Sequence, residues 1–253
     1  MSDDKKQHWI PLESNPEVLN KYIHNLGVPS NWQFVDVYGL EPDLLAMVPR
    51  PVVAVMLLYP LTDKSQQSTI GEVQEGSDLY FIKQTIGNAC GTIAIVHALA
   101  NNRDKIQFID EKSFSKFLRA SLSLTPEERA SLLENDEGMG AAHEDSAQEG
   151  QTQAPDRNEQ VNTHFIAFMC QNDGLYELDG RKDGPVHHGT SSSETLLESK
   201  CRNVRFLPMP RSHQLRNTTA SLTTLGYQNL SVCRLVAKVL TLHCVFRANW
   251  ILR

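Results

Sequence analysis

The stretch Gln84-Thr-Ile-Gly-Asn-Ala-Cys90-Gly91-Thr92 sets a cysteine directly before GTIAIVHALANN, a segment that is apolar nearly all the way round. A helix without a polar face belongs inside a domain, so Cys90 falls at the amino end of a buried helix. There the helix dipole and the unpaired N–H groups favour thiolate, and they lower a thiol pKa from about 8.5 to between roughly 3.5 and 7.5. Gly91 keeps approach to the sulfur open. Gln84 can donate a side-chain N–H to an oxyanion, with the backbone N–H of Cys90 as second donor. Nucleophilic thiol chemistry is one reading of this pattern. The other is a small buried hydrophobe, which is what most free cysteines are.

The second half of the chain favours the nucleophile. His164 heads an apolar strand pattern, and Asp179 closes the next one, just before Gly180. Two hairpin-paired strands can place His and Asp side by side, with the imidazole facing the thiol and the carboxylate fixing its tautomer. A lone His or Asp at a strand end is usually a solvated or capping residue; the joint arrangement is what carries weight.

The elements that must position these groups are legible in part. Asn15 as cap, Pro16 at the first helical position and Glu17 in the first turn open a helix. Val18, Leu19, Tyr22, Ile23 and Leu26 form its apolar face, and Gly27 stops it. Trp32–Tyr38 alternates like a strand, Val52–Tyr59 reads as a fully buried one, and Leu79–Ile82 begins another. Thr125-Pro-Glu-Glu128 is a capping box. Residues 138–162 are polar and lack an apolar period, which reads as a long mobile loop. His164–Met169 and Leu175–Leu178 are strands joined by a Gln171-Asn-Asp-Gly174 turn, and Ser193 caps a helix beginning ETLLE. Strands and helices intermixed point to an α+β or α/β fold.

Composition supplies exclusions. A chain of 253 residues suits one large domain or two small ones, and 40% apolar with 21% charged residues supports a sizeable core. No uncharged apolar run approaches the roughly 20 residues of a membrane-spanning helix, and the polar start MSDDKKQHWIPLE has no signal-peptide core. Five irregularly spaced cysteines argue for a reducing, cytoplasmic setting. A net charge of −6 excludes a generally basic nucleic-acid binder. His97, His187 and His188 look like helix or loop residues whose spacing supports no metal site. Cys170 lacks a reactive context and reads as structural.

Taken together, QTIGNACGT, HEDSAQEGQT, VNTHFIAF and LYELDGRK closely resemble the ubiquitin carboxyl-terminal hydrolases, small cytosolic cysteine proteases. PLESNPEV, NWQFVDVYG, MVPRPVVAV and ETLLE fit the same family, over about residues 8–198. The resemblance implies a catalytic domain over residues 1–199 with a papain-like α+β fold: a central antiparallel sheet wrapped by helices. It implies Cys90 as nucleophile, His164 as general base and acid, Asp179 orienting His164, and Gln84 as oxyanion donor. The implied substrate is a bond after the terminal glycine of ubiquitin or a close ubiquitin-like modifier, and the implied enzyme is a monomer that cleaves it through an acyl-enzyme without cofactor or metal. Residues 138–162 match the family's crossover loop, which passes over the active site and restricts leaving groups to small adducts, short peptides or unfolded tails. Glu13, Glu17 and Asp36 lie in matching segments and are candidate ubiquitin contacts, although solvated surface charge explains them equally well.

Charge breaks sharply where the resemblance ends. All 30 acidic residues lie at or before Glu198, whereas residues 200–253 hold two lysines, seven arginines and three of the five cysteines. The body therefore carries −15 and the tail +9. Pro208 and Pro210 disfavour a central strand around Val204–Leu207, and Leu230–Trp250 has the pattern of a basic amphipathic helix. The expectation is that the family's last strand is missing or replaced by alternative-exon, intron or frameshift sequence that is poorly ordered. The alternative function is then a catalytically impaired ubiquitin-binding isoform.

Overall fold

The computed structural model describes residues 7–61, 71–74, 76–159, 161–197 and, for the backbone alone, 241–247. Helix α1 (Pro16–Leu26) starts where Asn15 accepts the Glu17 N–H at 3.0 Å, and it ends at Gly27, whose φ of +105° suits glycine. Its face of Val18, Leu19, Tyr22, Ile23 and Leu26 is buried as the periodicity requires. The outer side of α1 also shields a sheet edge. Asn20 takes the N–H of Phe34 (2.6 Å) and donates to its carbonyl (3.0 Å), and His24 bonds the carbonyl of Trp32 at 3.0 Å. Residues one helical turn apart thus serve alternate backbone positions of strand β1 (Trp32–Asp36), which would otherwise be an open edge.

The sheet has seven strands in the order β1-β7-β2-β4-β5-β6-β3, each pair with its register given being antiparallel. Its other members are β2 (Val52–Pro60), β3 (Glu72–Val73), β4 (Thr163–Gln171), β5 (Gly174–Leu178), β6 (Val186–Thr190) and β7 (Thr241–Arg247). The β4–β5 turn puts Asn172 and Asp173 at positive φ (47° and 58°), the geometry that a two-residue hairpin favours. Both faces of the sheet are covered, which is why β2 and β4 read as continuous apolar runs. Phe165, Ala167 and Met169 face the larger core; Ile166, Phe168 and Cys170 face the smaller one with Leu45, Leu196 and Leu197.

Helices α4 (Ser113–Ser121) and α5 (Pro126–Glu134) pack on the larger side, α5 opening with the capping box between Thr125 and Glu128. The short α2 (Pro42–Ala46) lies on the other. Helix α3 (Cys90–Ala100) is buried at every residue, as its composition requires. Truncating a side chain such as Leu99 there costs about 2–5 kcal/mol.

Several elements differ from the sequence reading. Leu79–Ile82 is buried and extended but is not a strand. Side chains supply its ladder instead: Asn101 brackets Tyr80 (2.7 and 2.8 Å), His97 accepts the N–H of Ile82 (3.1 Å), and Arg129 donates to the carbonyl of Phe81 (2.8 Å). His187 and His188 lie on β6 rather than in a helix or loop. The segment expected to be loop from residue 138 opens as helix α6 (Glu137–Ala147), capped by Asp136 onto the Met139 N–H at 2.9 Å. It buries Met139, His143, Ser146 and Ala147, a face too small and polar to register as an apolar stripe. The turn before Leu196 is closed by Ser192, not Ser193, through reciprocal bonds with Thr195.

The largest difference is at the end of the chain. Residues 241–247 form a strand, so they cannot belong to an amphipathic helix over Leu230–Trp250. That strand sits between β1 and β2, pairing Trp32–Asp36 on one side and Val52–Leu58 on the other. The expected strand region Val204–Leu207 and the rest of the ETLLE helix beyond Leu197 lie outside the described residues.

Candidate active site

Cys90 is the first residue of α3, and Ala89 before it offers no side-chain cap. The amino-terminal N–H groups therefore have no capping oxygen and point positive charge at the sulfur. Gly91 has a different task from the one its position suggests: a Cβ there would lie 3.2 Å from Leu12 and 3.4 Å from Phe165, so it permits close packing of the helix. Phe165 follows His164 on β4, which brings that strand's head to the start of α3.

His164 is fully buried, and its Nε2 donates to Asp179 Oδ1 at 2.7 Å. Its Nδ1 has no fully formed hydrogen bond, but thiol and imidazole are close enough to shift each other's titration. Tyr59, its β2 register partner, meets the ring edge-on at 5.9 Å. Asp179 in turn accepts the N–H of Arg181 at 2.9 Å. Gly180 ties this turn to Gln84: its carbonyl takes the Gln84 N–H at 2.8 Å, and a Cβ at Gly180 would meet Gln84 at 3.0 Å and Ile93 at 2.8 Å. The Gln84 Nε2 donates one hydrogen to the carbonyl of Ile86 at 3.2 Å, leaving its second for another acceptor.

Electrostatics polarise the group. Burial alone pushes the Cys90 thiol up, but the neighbouring imidazole of His164, the Phe165 N–H and the Arg181 charge outweigh it, so the thiol falls below its usual value. Burial pulls His164 down, but Asp179 and Cys90 raise it to about 9. Asp179 is lowered: burial opposes its charge, and the bond and charge of His164 overcome that. The folded protein thus favours thiolate beside imidazolium, a pair that titrates jointly. Alkylation of Cys90 by iodoacetamide should already be fast at neutral pH in the wild type. In Asp179→Asn it should titrate with pH like an ordinary thiol; identical pH profiles for the two proteins would contradict this electrostatic account.

Two further histidines lie beneath the site and were not distinguished in sequence from ordinary helix or loop residues. His143 donates through Nε2 to the carbonyl of Ile10 (2.6 Å) and accepts through Nδ1 from Thr92 (2.8 Å), whose hydroxyl also bonds Tyr22 (2.9 Å). Burial lowers both His97 and His143 from 6.5 to about 4. Between those values the unfolded chain binds protons that the folded chain refuses, so stability falls as pH drops from 6.5 to about 4, by up to roughly 3 kcal/mol per histidine. His164 has the opposite sign: its contribution is complete below 6.5 and is lost as pH rises through about 9. Melting temperatures between pH 7 and 4.5 should show the acid loss, and His143→Gln should flatten it; an unchanged slope would contradict this assignment.

The remaining candidates are spread out. Glu17 lies in the first turn of α1, Asp36 ends β1, and Glu13 accepts bonds from Thr152. Cys170 is buried and donates to the carbonyl of Ser191 at 3.3 Å. Among the described residues no cluster of His, Cys, Asp and Glu could hold a metal ion, and no helix is long and apolar enough to cross a membrane.

Comparison with known proteins shows the family and the fold. Residues 9–206 match the family described as ubiquitin carboxyl-terminal hydrolase, family 1, so the likeness runs past residue 198 to Phe206. A ubiquitin carboxyl-terminal hydrolase of Aplysia californica is 57% identical over 202 residues, covering 79% of this chain and 94% of that one. Isozyme L1 of Rattus norvegicus is 42% identical, covering 84% and 96%. The catalytic domain of Trichinella spiralis UCH37, solved bound to ubiquitin vinyl methyl ester, shares the fold with a TM-score of 0.67 at 20% identity, over 95% of this chain and 96% of that one. By its matched length, its identity to these relatives and its fold, the chain belongs to family 1 of the ubiquitin carboxyl-terminal hydrolases, which are cysteine-type hydrolases.

Proposed function

We propose that this chain is a deubiquitinating thiol protease that hydrolyses bonds after the carboxyl-terminal glycine of ubiquitin or a close ubiquitin-like modifier. The observation that carries the reading is the Cys90–His164–Asp179 constellation at the uncapped end of a buried helix. In this mechanism the Cys90 thiolate attacks the scissile carbonyl. The developing oxyanion takes hydrogen bonds from the free Nε2 hydrogen of Gln84 and the N–H of Cys90. His164 gives its proton to the leaving amine, and the carbonyl stays on sulfur as a thioester. Next, His164 takes a proton from water, which attacks the thioester and releases the modifier's carboxylate and the thiol. Asp179 holds His164 in the required tautomer throughout. The chemistry needs only thiol, imidazole and water.

The −15 charge of residues 1–199 suits a basic partner surface, and Glu17 and Asp36 are proposed contacts, whereas the carboxylate of Glu13 is taken up by Thr152 and Asn15. Free Cys90 and Cys170 fit a reducing, cytoplasmic setting and a place in ubiquitin-dependent protein catabolism. The segment between α6 and β4 is proposed to limit leaving groups to small or unfolded adducts.

The family match ends at Phe206, which motivates a second reading, a ubiquitin-binding form without turnover. Ubiquitin bearing a small fluorogenic amide at its carboxyl terminus separates the two. Release of the fluorophore supports the protease; ubiquitin binding without release, by a chain that melts cooperatively, supports the second reading.

A further inference from the structure

The segment between α6 and β4 is fastened at two feet. At the first, the N–H and hydroxyl of Thr152 both donate to Oε2 of Glu13, at 2.9 and 2.6 Å. Gly150 presses on the same carboxylate so closely that any Cβ there would collide with it. At the second foot, Nδ2 of Asn88 donates to the carbonyls of Arg157 and Glu159, at 3.2 and 3.4 Å. Both feet stand on chain that touches the start of α3. Asn88 lies two residues before Cys90, and Leu12, next to Glu13, packs on Gly91.

Four residues separate Thr152 from Arg157, so the Cα atoms of the two feet are at most about 17 Å apart along extended chain. With both feet held, this length bounds how far the span can bow outward. Two ion pairs, Lys21–Glu149 and Arg157–Glu144, hold the same segment from its outer side, and as surface pairs each contributes about 0–1 kcal/mol. Asn88 has a φ of +61°, which glycine would adopt more readily. Asparagine also tolerates this conformation, so Asn88→Gly removes the carboxamide without straining the turn.

We propose that Glu13 and Asn88 are specificity-determining residues: by pinning this segment at Thr152 and at Arg157 and Glu159, they set the largest leaving group that the site releases. The inference rests on the protease reading above. A bulky adduct is cleaved only from the fraction of molecules whose segment has opened, whereas a small one is cleaved from all of them. Removing the Asn88 bonds should raise the open fraction about tenfold.

The test compares wild type, Asn88→Gly and Thr152→Val on two substrates: ubiquitin carrying a small fluorogenic amide, and ubiquitin fused through its carboxyl terminus to a compact folded domain. The readout is the ratio of the two kcat/KM values, so a general loss of activity cancels. The expected result is a ratio shifted toward the bulky substrate, about tenfold in Asn88→Gly and less in Thr152→Val, which keeps one of its two bonds. An unchanged ratio in both variants overturns the proposal, as does a wild type that cleaves both substrates equally well. Should wild type cleave neither, the protease reading fails, and limited proteolysis of residues 148–159 then decides the pinning on its own. Faster cleavage in the variants supports it, and equal rates overturn it.

Discussion

Cys90→Ala is expected to abolish turnover while leaving ubiquitin binding and the thermal transition nearly intact. Cys90 is 9% exposed at the first position of α3, where alanine is the better helix former and the lost sulfur leaves only a small void. Its removal takes away the one group that His164 and the helix end are arranged to ionise, and water in its place lacks covalent contact with the carbonyl. Asp179→Asn should lower kcat by about 10²–10⁴-fold, because the amide cannot hold His164 charged. The two variants differ in a diagnostic way: Asp179→Asn keeps a slow acyl-enzyme, and Cys90→Ala forms none. Intact-mass measurement after mixing with substrate checks both. Turnover retained in Cys90→Ala would move the chemistry to another residue.

A chain ending at residue 240 is expected to lose its cooperative melting transition. Strand β7 is internal, hydrogen-bonded to β1 on one side and β2 on the other. Without it, the backbone groups of Val52–Leu58 lose their partners on that side and β1 separates from the sheet. An unsatisfied buried backbone group costs about 1–3 kcal/mol, so a few exhaust a net stability of about 5–15 kcal/mol. The candidate site shares this fate, because β2 carries Tyr59 and pairs with β4, which carries His164. Calorimetry of the full chain and of residues 1–240 decides it: one sharp transition in both would mean that the sheet does not depend on β7.

The candidate site was legible in the sequence because its parts leave local marks. Cys90 precedes an all-apolar helix, His164 and Asp179 bracket a hairpin, and the hairpin announces itself through Asn172-Asp173-Gly174. What escaped has no local mark. Asn101 and His97 look like ordinary helical residues, yet they complete the backbone pairing of Tyr80 and Ile82, some 15 to 21 positions earlier. Helix α6 hid because its buried face holds a histidine and a serine among few apolar residues, and His143 is satisfied by Thr92 and Ile10, which lie far off in sequence. The terminal strand escaped for another reason: a seven-residue stretch within a basic segment reads as part of an amphipathic helix. Only the gap between β1 and β2 reveals it as a strand.

The most direct test of the account is covalent labelling of the full 253-residue chain by ubiquitin carrying a thiol-reactive group at its carboxyl terminus, read by intact mass and peptide mapping. The account predicts a single adduct, on Cys90, that forms at neutral pH and is absent from Cys90→Ala. No adduct on a chain that melts cooperatively, or an adduct on Cys201, Cys233 or Cys244 instead, would contradict it.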